Sequence, residues 1–478
     1  MGKDKHKLGD DGILEDGVST YPADAAKLRT YETASQQLAD FKAPVLLQSN
    51  DPHQRVFVAA FDGTGNDMLG DPEHATNVAK INQQIQELNV HGDRRIVSGY
   101  VAGPGTQDSA LPKLVDGMRG YTYERRTEEM YKQFIEQAKD WRREDPDAKI
   151  SVVSIGFSRG AEQAAGFTRL VDERGIQDPS GAKYKYESDG MIKSATYSKP
   201  ALEGPGKVAQ VEGLFDPVGT GVPQNHDRRP PPSVISGFQI IAEDERRRLF
   251  KVDHIIPPGT SGGDRFLGVT VAGAHSDIGG SYHRDGLAAR SNNLMVDYLN
   301  ALSDKPYLQK SVEPDDPRLN VVHRSEEGMA LYRFRPVDRN TPAGYNTVLV
   351  PKSQWNGIGD RQSAEPRDEE LSAKYTRQNV AIGPKPEAPG QPIAPKPSTS
   401  DQFDALTRAA ASKDDAASKQ VAQAYAQSNE GQALLAQGQQ LNRQQQQQQQ
   451  QPQQTTPEVA PQAQQPPTQQ QQGPTLRH

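Results

Sequence analysis

Apolar residues in this chain cluster between about residues 54 and 335, in short runs separated by Gly-rich loops and amphipathic stretches. The first run is Val56-Phe57-Val58-Ala59-Ala60-Phe61, which stops at Asp62-Gly63-Thr64-Gly65-Asn66. A short continuous apolar run with a Gly-rich stop predicts a buried strand feeding a tight loop. Ile150–Ile155, Val208–Phe215 and Phe266–Ala272 repeat the pattern, each ending in a polar loop. Helical spacing runs over Val78–Leu88, Arg125–Trp141, Ala161–Glu173 and Asn292–Leu302. Strands alternating with helices predict an α/β fold: a mainly parallel central sheet with helices on both faces. Right-handed crossovers then bring the C-terminal ends of the strands to one edge.

The same pattern sets the expected boundaries. Residues 1–50 read as a polar arm, with at most a short helix around Ala25–Leu38, and residues 51–375 as one catalytic-sized domain. Residues 376–400 are Pro-rich and predict a stiff, extended linker. Residues 401–441 are rich in Ala and Gln, with a thin apolar face from Phe403, Leu406, Val421, Tyr425, Leu434 and Leu435, enough for a marginal helical segment. Residues 442–478, including the tract Gln444–Gln451, bury too little apolar surface to offset their ordering entropy and predict disorder. The polar, Pro-rich residues 220–262 are the expected place for a lid or substrate-access element.

Composition narrows the function classes. Only 34% of the 478 residues are hydrophobic, a deficit concentrated in the tail. The net charge is −7, from 55 basic against 62 acidic residues, so nucleic acid is not an expected partner. The cluster Arg246-Arg247-Arg248 reads as a solvated helix face. There is no cysteine, which excludes disulfides, thiolate metal sites and a cysteine nucleophile. Met1-Gly2-Lys3-Asp4-Lys5-His6 is followed by no apolar signal region, and His6 stands where a myristoylation signal needs Ser or Thr. No apolar stretch approaches the length of a membrane span. The expectation is a protein made in the cytoplasm without a Sec signal, either staying there or exported by a dedicated machine. No cofactor or metal is expected: Asp62, Asp67 and Asp277 are the acidic candidates, without a supporting His-x-x-x-His or carboxylate ladder.

The chemistry centres on Gly156-Phe157-Ser158-Arg159-Gly160. Gly-x-Ser-x-Gly alone is weak, and Gly259-Thr260-Ser261-Gly262-Gly263 fits it too. That second copy follows Pro257-Pro258, lacks strand and helix flanks, and reads as a loop. Ser158 has a buried strand before it and a helix after it, the setting of a nucleophile elbow in an α/β-hydrolase-like fold. A serine hydroxyl needs a base, and the base an orienting acid, in the chain order Ser, Asp, His. Asp216 ends the run Val208–Phe215, and His275 follows Phe266–Ala272. Ser158, Asp216 and His275 are therefore the expected nucleophile, acid and base. Asp277 is the alternative acid or a loop cap, and His323 the rival base. Gly63 and Thr64, with the N–H of Arg159, are the candidate oxyanion donors. A phosphate loop is the other reading of Asp62–Asn66, but the Walker Lys-[Ser/Thr] is absent.

Six blocks in order resemble the catalytic domain of type VI secretion lipase effectors, a phospholipase-like group of α/β hydrolases. They are Val58–Asn66, Gly103-Pro104-Gly105-Thr106, Gly156–Ala161, Phe215-Asp216-Pro217-Val218-Gly219, Asp244-Glu245-Arg246-Arg247 and Gly273–Gly280. The resemblance covers roughly residues 55–335 and implies Ser158 as nucleophile, His275 as base and Asp216 as acid; Pro217 stands where threonine is more usual. It also implies lipid ester cleavage at a membrane surface, delivery into a rival bacterium by a contact-dependent system, and a cognate immunity protein. The tail is loosely similar to those of bacteria-killing type IV secretion effectors, which implies docking to a secretion component. A catalytically silent adaptor on a hydrolase scaffold and a plain cytosolic esterase are the competing function classes.

Overall fold

The computed structural model describes residues 7–63, 75–102, 121–187, 190–219, 221–328, 330–333 and 335–386. Thr64, Asp67, the block Gly103–Thr106 and the expected tail segments 401–441 and 442–478 lie outside these residues. Among the described residues the central sheet has seven strands. In chain order they are β3 (Gln54–Phe61), β4 (Ile96–Val101), β5 (Lys149–Phe157), β8 (Gln210–Phe215), β9 (Val234–Ala242), β11 (Gly259–Ser261) and β12 (Phe266–Val271). Across the sheet they run β11-β12-β9-β8-β5-β3-β4. All neighbours are parallel except β11, which pairs antiparallel with β12 at one edge.

The strand period divides the core in two. Val56, Val58 and Ala60 of β3 face one apolar layer, with helices α1 (Ala25–Asp40), α2 (Asn77–Val90) and α6 (Gly286–Asn300). Phe57, Ala59 and Phe61 face the other, with α3 (Tyr121–Glu144) and α4 (Arg159–Arg174). Successive side chains on opposite faces, both covered, explain why these strands read as continuous apolar runs. Caps fix the helix starts: Asp24 accepts from Lys27 N–H at α1, and Thr76 Oγ1 from Ala79 N–H at α2. No helix among the described residues is long and apolar enough to cross a membrane.

Several segments differ from expectation. Within residues 220–262, the stretch expected to hold a lid or substrate-access element, Val234–Ala242 is β9, every residue of which is buried beside β8. Ser236, Gly237 and Gln239 interrupt its apolar run, and the polar ones are satisfied inside. Gln239, for example, donates to Asp253 O and accepts from Ile256 N–H. Arg247 is not on a solvated helix face but buried, donating to Glu245 Oε2 at 2.8 Å. Gly259–Ser261, expected as loop, is the edge strand β11. The polar N-terminal stretch is packed into the domain. Within it, β1 (Thr20–Pro22) pairs with β13 (Val321–His323), and β2 (Lys42–Pro44) with β15 (Arg377–Asn379). The expected boundary at residue 375 thus falls before a paired strand, and the compact unit runs to Ala388. Smaller elements complete it: the hairpin β6 (Ala182–Tyr186) and β7 (Ile192–Tyr197), the pair β10 (Val252–Asp253) and β14 (Tyr345–Asn346), and short helices α5 (His275–Gly279) and α7 (Glu369–Ser372).

Candidate active site

Ser158 stands between the last residue of β5 and the first of α4, at φ 60° and ψ −126°. A serine with positive φ is a strained conformation held by its surroundings, as a nucleophile elbow requires. The flanking glycines show what holds it. A Cβ on Gly156 would lie 2.4 Å from Gly160 O, and one on Gly160 would lie 2.3 Å from Phe61 O and 2.6 Å from Asp62 O. Close approach of strand, turn and helix therefore needs glycine at both positions, and it brings the end of β3 against the elbow. Ser158 N–H donates to Phe215 O at 3.1 Å, and Val218 N–H to Ser158 O at 3.3 Å, which ties the elbow to the end of β8.

Asp216 follows β8 directly, fully buried and also at positive φ, 40°. Its Oδ2 accepts from His275 Nδ1 at 2.6 Å and its Oδ1 from Ala242 N–H at 2.9 Å. Arg339 donates to Oδ1 at 2.8 Å and to Oδ2 at 3.1 Å. Burial alone would raise this carboxyl's pKa, but the Arg339 charge and the bonds from His275 and Arg339 outweigh it. Asp216 is held well below the usual carboxylate range.

His275 opens α5, and its N–H donates to Glu245 Oε2 at 3.2 Å. Its ring packs 4.6 Å from Phe157, the residue before Ser158, and edge-on to Phe250 at 5.2 Å. Gly279 of the same helix lies so close to Phe157 that a Cβ there would meet the ring at 2.1 Å. Burial lowers the imidazole pKa below its ordinary 6.5, with Asp216 opposing only in part. The ring is therefore neutral at pH 7, with Nδ1 donating to Asp216 and Nε2 left as acceptor. Among the described residues Ser158 Oγ makes no hydrogen bond. In hydrolases this contact commonly tightens only with substrate bound.

The remaining candidates sit differently. His323 donates through Nδ1 to Asp277 Oδ1 at 2.5 Å and through Nε2 to Asp16 Oδ2 at 2.9 Å. Burial would lower its pKa, but the Asp277 charge and the bonds to both carboxylates raise it to about 9. With both nitrogens donating, this ring has no lone pair to take a proton from serine. Asp277 accepts from His323 N–H and Ala274 N–H as well, so it caps the His275 turn rather than facing the His275 ring. Gly63 N–H donates to Asp62 Oδ1 at 2.6 Å, which engages one candidate oxyanion donor. Asp62 also accepts from the Thr76 and Tyr100 hydroxyls. Arg159 N–H lies at the first position of α4. Sequence reasoning missed Arg339, Glu245 and Asp16. Glu245 alone carried a signal, as part of the block Asp244–Arg247.

A search of curated proteins finds no match to this chain. Among solved structures, an uncharacterized protein from Pseudomonas aeruginosa aligns over 84% of this chain and 65% of its own length, with 16% identity and a TM-score of 0.36. A structure of the Tle1 effector bound to the VgrG spike of the type 6 secretion system aligns over 50% of this chain and 52% of its own, with 20% identity and a TM-score of 0.28. The chain thus spans less than two thirds of either. Residues 55–301 match the family model described as T6SS, phospholipase effector Tle1-like, catalytic domain. That match includes Ser158, Asp216 and His275 and covers more than half of the chain, which belongs to the Tle1-like phospholipase effector family of type VI secretion.

Proposed function

We propose that the protein hydrolyses carboxylic esters of membrane phospholipids through Ser158, His275 and Asp216. The observation that carries this is the positive-φ Ser158 on its strand–helix turn, with the buried His275–Asp216 pair packed on the adjoining Phe157. Neutral His275 takes the Ser158 proton at Nε2 as Oγ bonds to the ester carbonyl carbon. Asp216 keeps the proton on Nδ1 and stabilises the imidazolium that forms. The imidazolium then protonates the leaving alcohol, and the acyl-serine is cleared when His275 activates a water in the same way. The tetrahedral oxyanion takes the N–H of Arg159, with Thr64 the second donor candidate. Gly63 serves only if its N–H leaves Asp62.

In this reading the protein is a secreted antibacterial effector acting peripherally on the target membrane. Its producer holds an immunity protein, and the tail after Ala388 docks to the secretion machinery. Family membership supports the effector role. The test is fatty-acid release from phosphatidylethanolamine and phosphatidylglycerol vesicles, followed by mass spectrometry. The wild-type protein releases fatty acid, and Ser158→Ala loses at least about 10⁴-fold in kcat. Release by both forms alike removes Ser158 from the reaction. Cleavage of short esters without release from any lipid leaves a plain esterase, and silence on both leaves an adaptor.

A further inference from the structure

The turn that carries His275 is held by residues outside the family-matched segment 55–301. The Asp16 carboxylate, almost fully buried, accepts from His283 N–H at 2.6 Å and His283 Nδ1 at 2.9 Å through Oδ1. Through Oδ2 it accepts from Arg284 N–H at 3.3 Å and His323 Nε2 at 2.9 Å. His323 in turn holds Asp277, two residues from His275. Thus one N-terminal carboxylate anchors the downstream end of the turn directly and its middle through His323.

The upstream end has the same origin. Thr30 Oγ1 accepts from Ala272 N–H at 2.9 Å, and Tyr31 donates to Ala272 O at 2.7 Å. Lys27 Nζ donates to Asp244 Oδ1 at 2.7 Å, while Asp244 Oδ2 accepts from Gly273 N–H at 2.9 Å. Backbone and side chain are therefore gripped on both sides of His275 by residues 16–31 and by His323. Among the described residues, the hydrogen bond that sets the tautomer of its ring comes from Asp216.

We propose that the segment Asp16–Tyr31, with His323, is the positioning element of the catalytic histidine, so that the matched domain acts at full rate only with this N-terminal segment seated. The inference rests on the assignment of His275 as base. Asp16 and His323 touch no reacting atom; they set where Nε2 lies relative to Ser158 Oγ. An error of about 1 Å in such a placement costs on the order of 10²-fold in rate. It does so without altering how substrate binds.

The test uses the full chain, with Asp16→Asn, His323→Gln and the milder Tyr31→Phe. Hydrolysis of p-nitrophenyl butyrate is measured across pH, and functional sites are counted by titration with a fluorophosphonate. Rates per titrated site separate misplacement from loss of folded protein. Asp16→Asn and His323→Gln should lower kcat about 10- to 100-fold per site with KM within about twofold. Tyr31→Phe, which keeps every ion pair, should lower kcat a few-fold in the same pattern and carries the test if the other two fail to fold. Unchanged kcat per site in the variants, with only melting affected, overturns the inference. Wild-type protein that neither turns over ester nor reacts with the phosphonate overturns the functional reading itself, and the positioning role with it.

Discussion

Arg339→Met should do two things at once, because Arg339 is both the counter-ion of Asp216 and a buried cation. Its guanidinium is about 1% exposed and bonds both Asp216 oxygens as well as Phe250 O. Without it, the Asp216 charge keeps Ala242 N–H and His275 but loses its compensating cation. Stranding one member of a buried pair costs about 3–5 kcal/mol. Melting shifts by roughly 2–4 °C per kcal/mol in domains of about 150–250 residues and less in a larger unit, so a fall of several degrees is expected. The catalytic effect has a definite sign. A carboxylate relieved of Arg339 stabilises the imidazolium of His275 more strongly, so the base pKa rises. The acid limb of the kcat/KM profile for p-nitrophenyl butyrate should therefore move to higher pH. In the double variant with Asp216→Asn the effect should not add, since the two residues act as one pair. A profile and melting temperature equal to wild type would refute the claim that Arg339 neutralises the acid.

Other consequences follow from packing and titration. Gly160→Ala should destabilise by about 1–3 kcal/mol and lower kcat: its methyl meets the backbone oxygens of Phe61 and Asp62, which overrides the roughly 1 kcal/mol helical advantage of alanine; an equal or higher melting temperature sinks this reading. His323 has its folded pKa raised from 6.5 to about 9, so its stabilisation is full below about pH 6.5 and lost as pH rises through 9. The size is on the order of 3 kcal/mol, and His323→Gln should abolish that part of the alkaline decline in melting temperature; parallel curves for both forms would contradict it. Ser261→Ala should retain full ester turnover, since Ser261 lies on the edge strand β11 away from any strand–helix turn; a loss like that of Ser158→Ala would return the second Gly-x-Ser-x-Gly to consideration.

What the sequence shows of this molecule is what local pattern encodes. Runs such as Val56–Phe61 are buried on both faces, so strands β3, β5, β8 and β12 are legible. The order Ser158, Asp216, His275 follows from three strand ends. Strand β9 is not legible, because Ser236, Gly237 and Gln239 break its hydrophobic run while hydrogen bonds satisfy the polar residues inside. The N-terminal stretch looks like an arm for a similar reason: its apolar residues are sparse, and its anchoring comes from charged partners far along the chain. Asp16 lies 307 residues from His323, and Arg339 lies 123 residues from Asp216. No spacing rule connects such pairs; only the fold does. His323 shows the converse. In the sequence it follows the apolar pair Val321-Val322 and stands as the rival base, whereas in the fold carboxylates hold both of its nitrogens.

The central claim is that Ser158 is a nucleophile activated by His275. It is tested most directly by incubating the full chain with a fluorophosphonate and locating the adduct by peptide mass spectrometry. One phosphonyl group per chain should appear on the peptide containing Ser158, with none on that containing Ser261. The rate of modification should drop by orders of magnitude in His275→Ala and remain near wild type in Ser261→Ala. Modification at another residue, or at Ser158 with a rate indifferent to His275, would contradict the account.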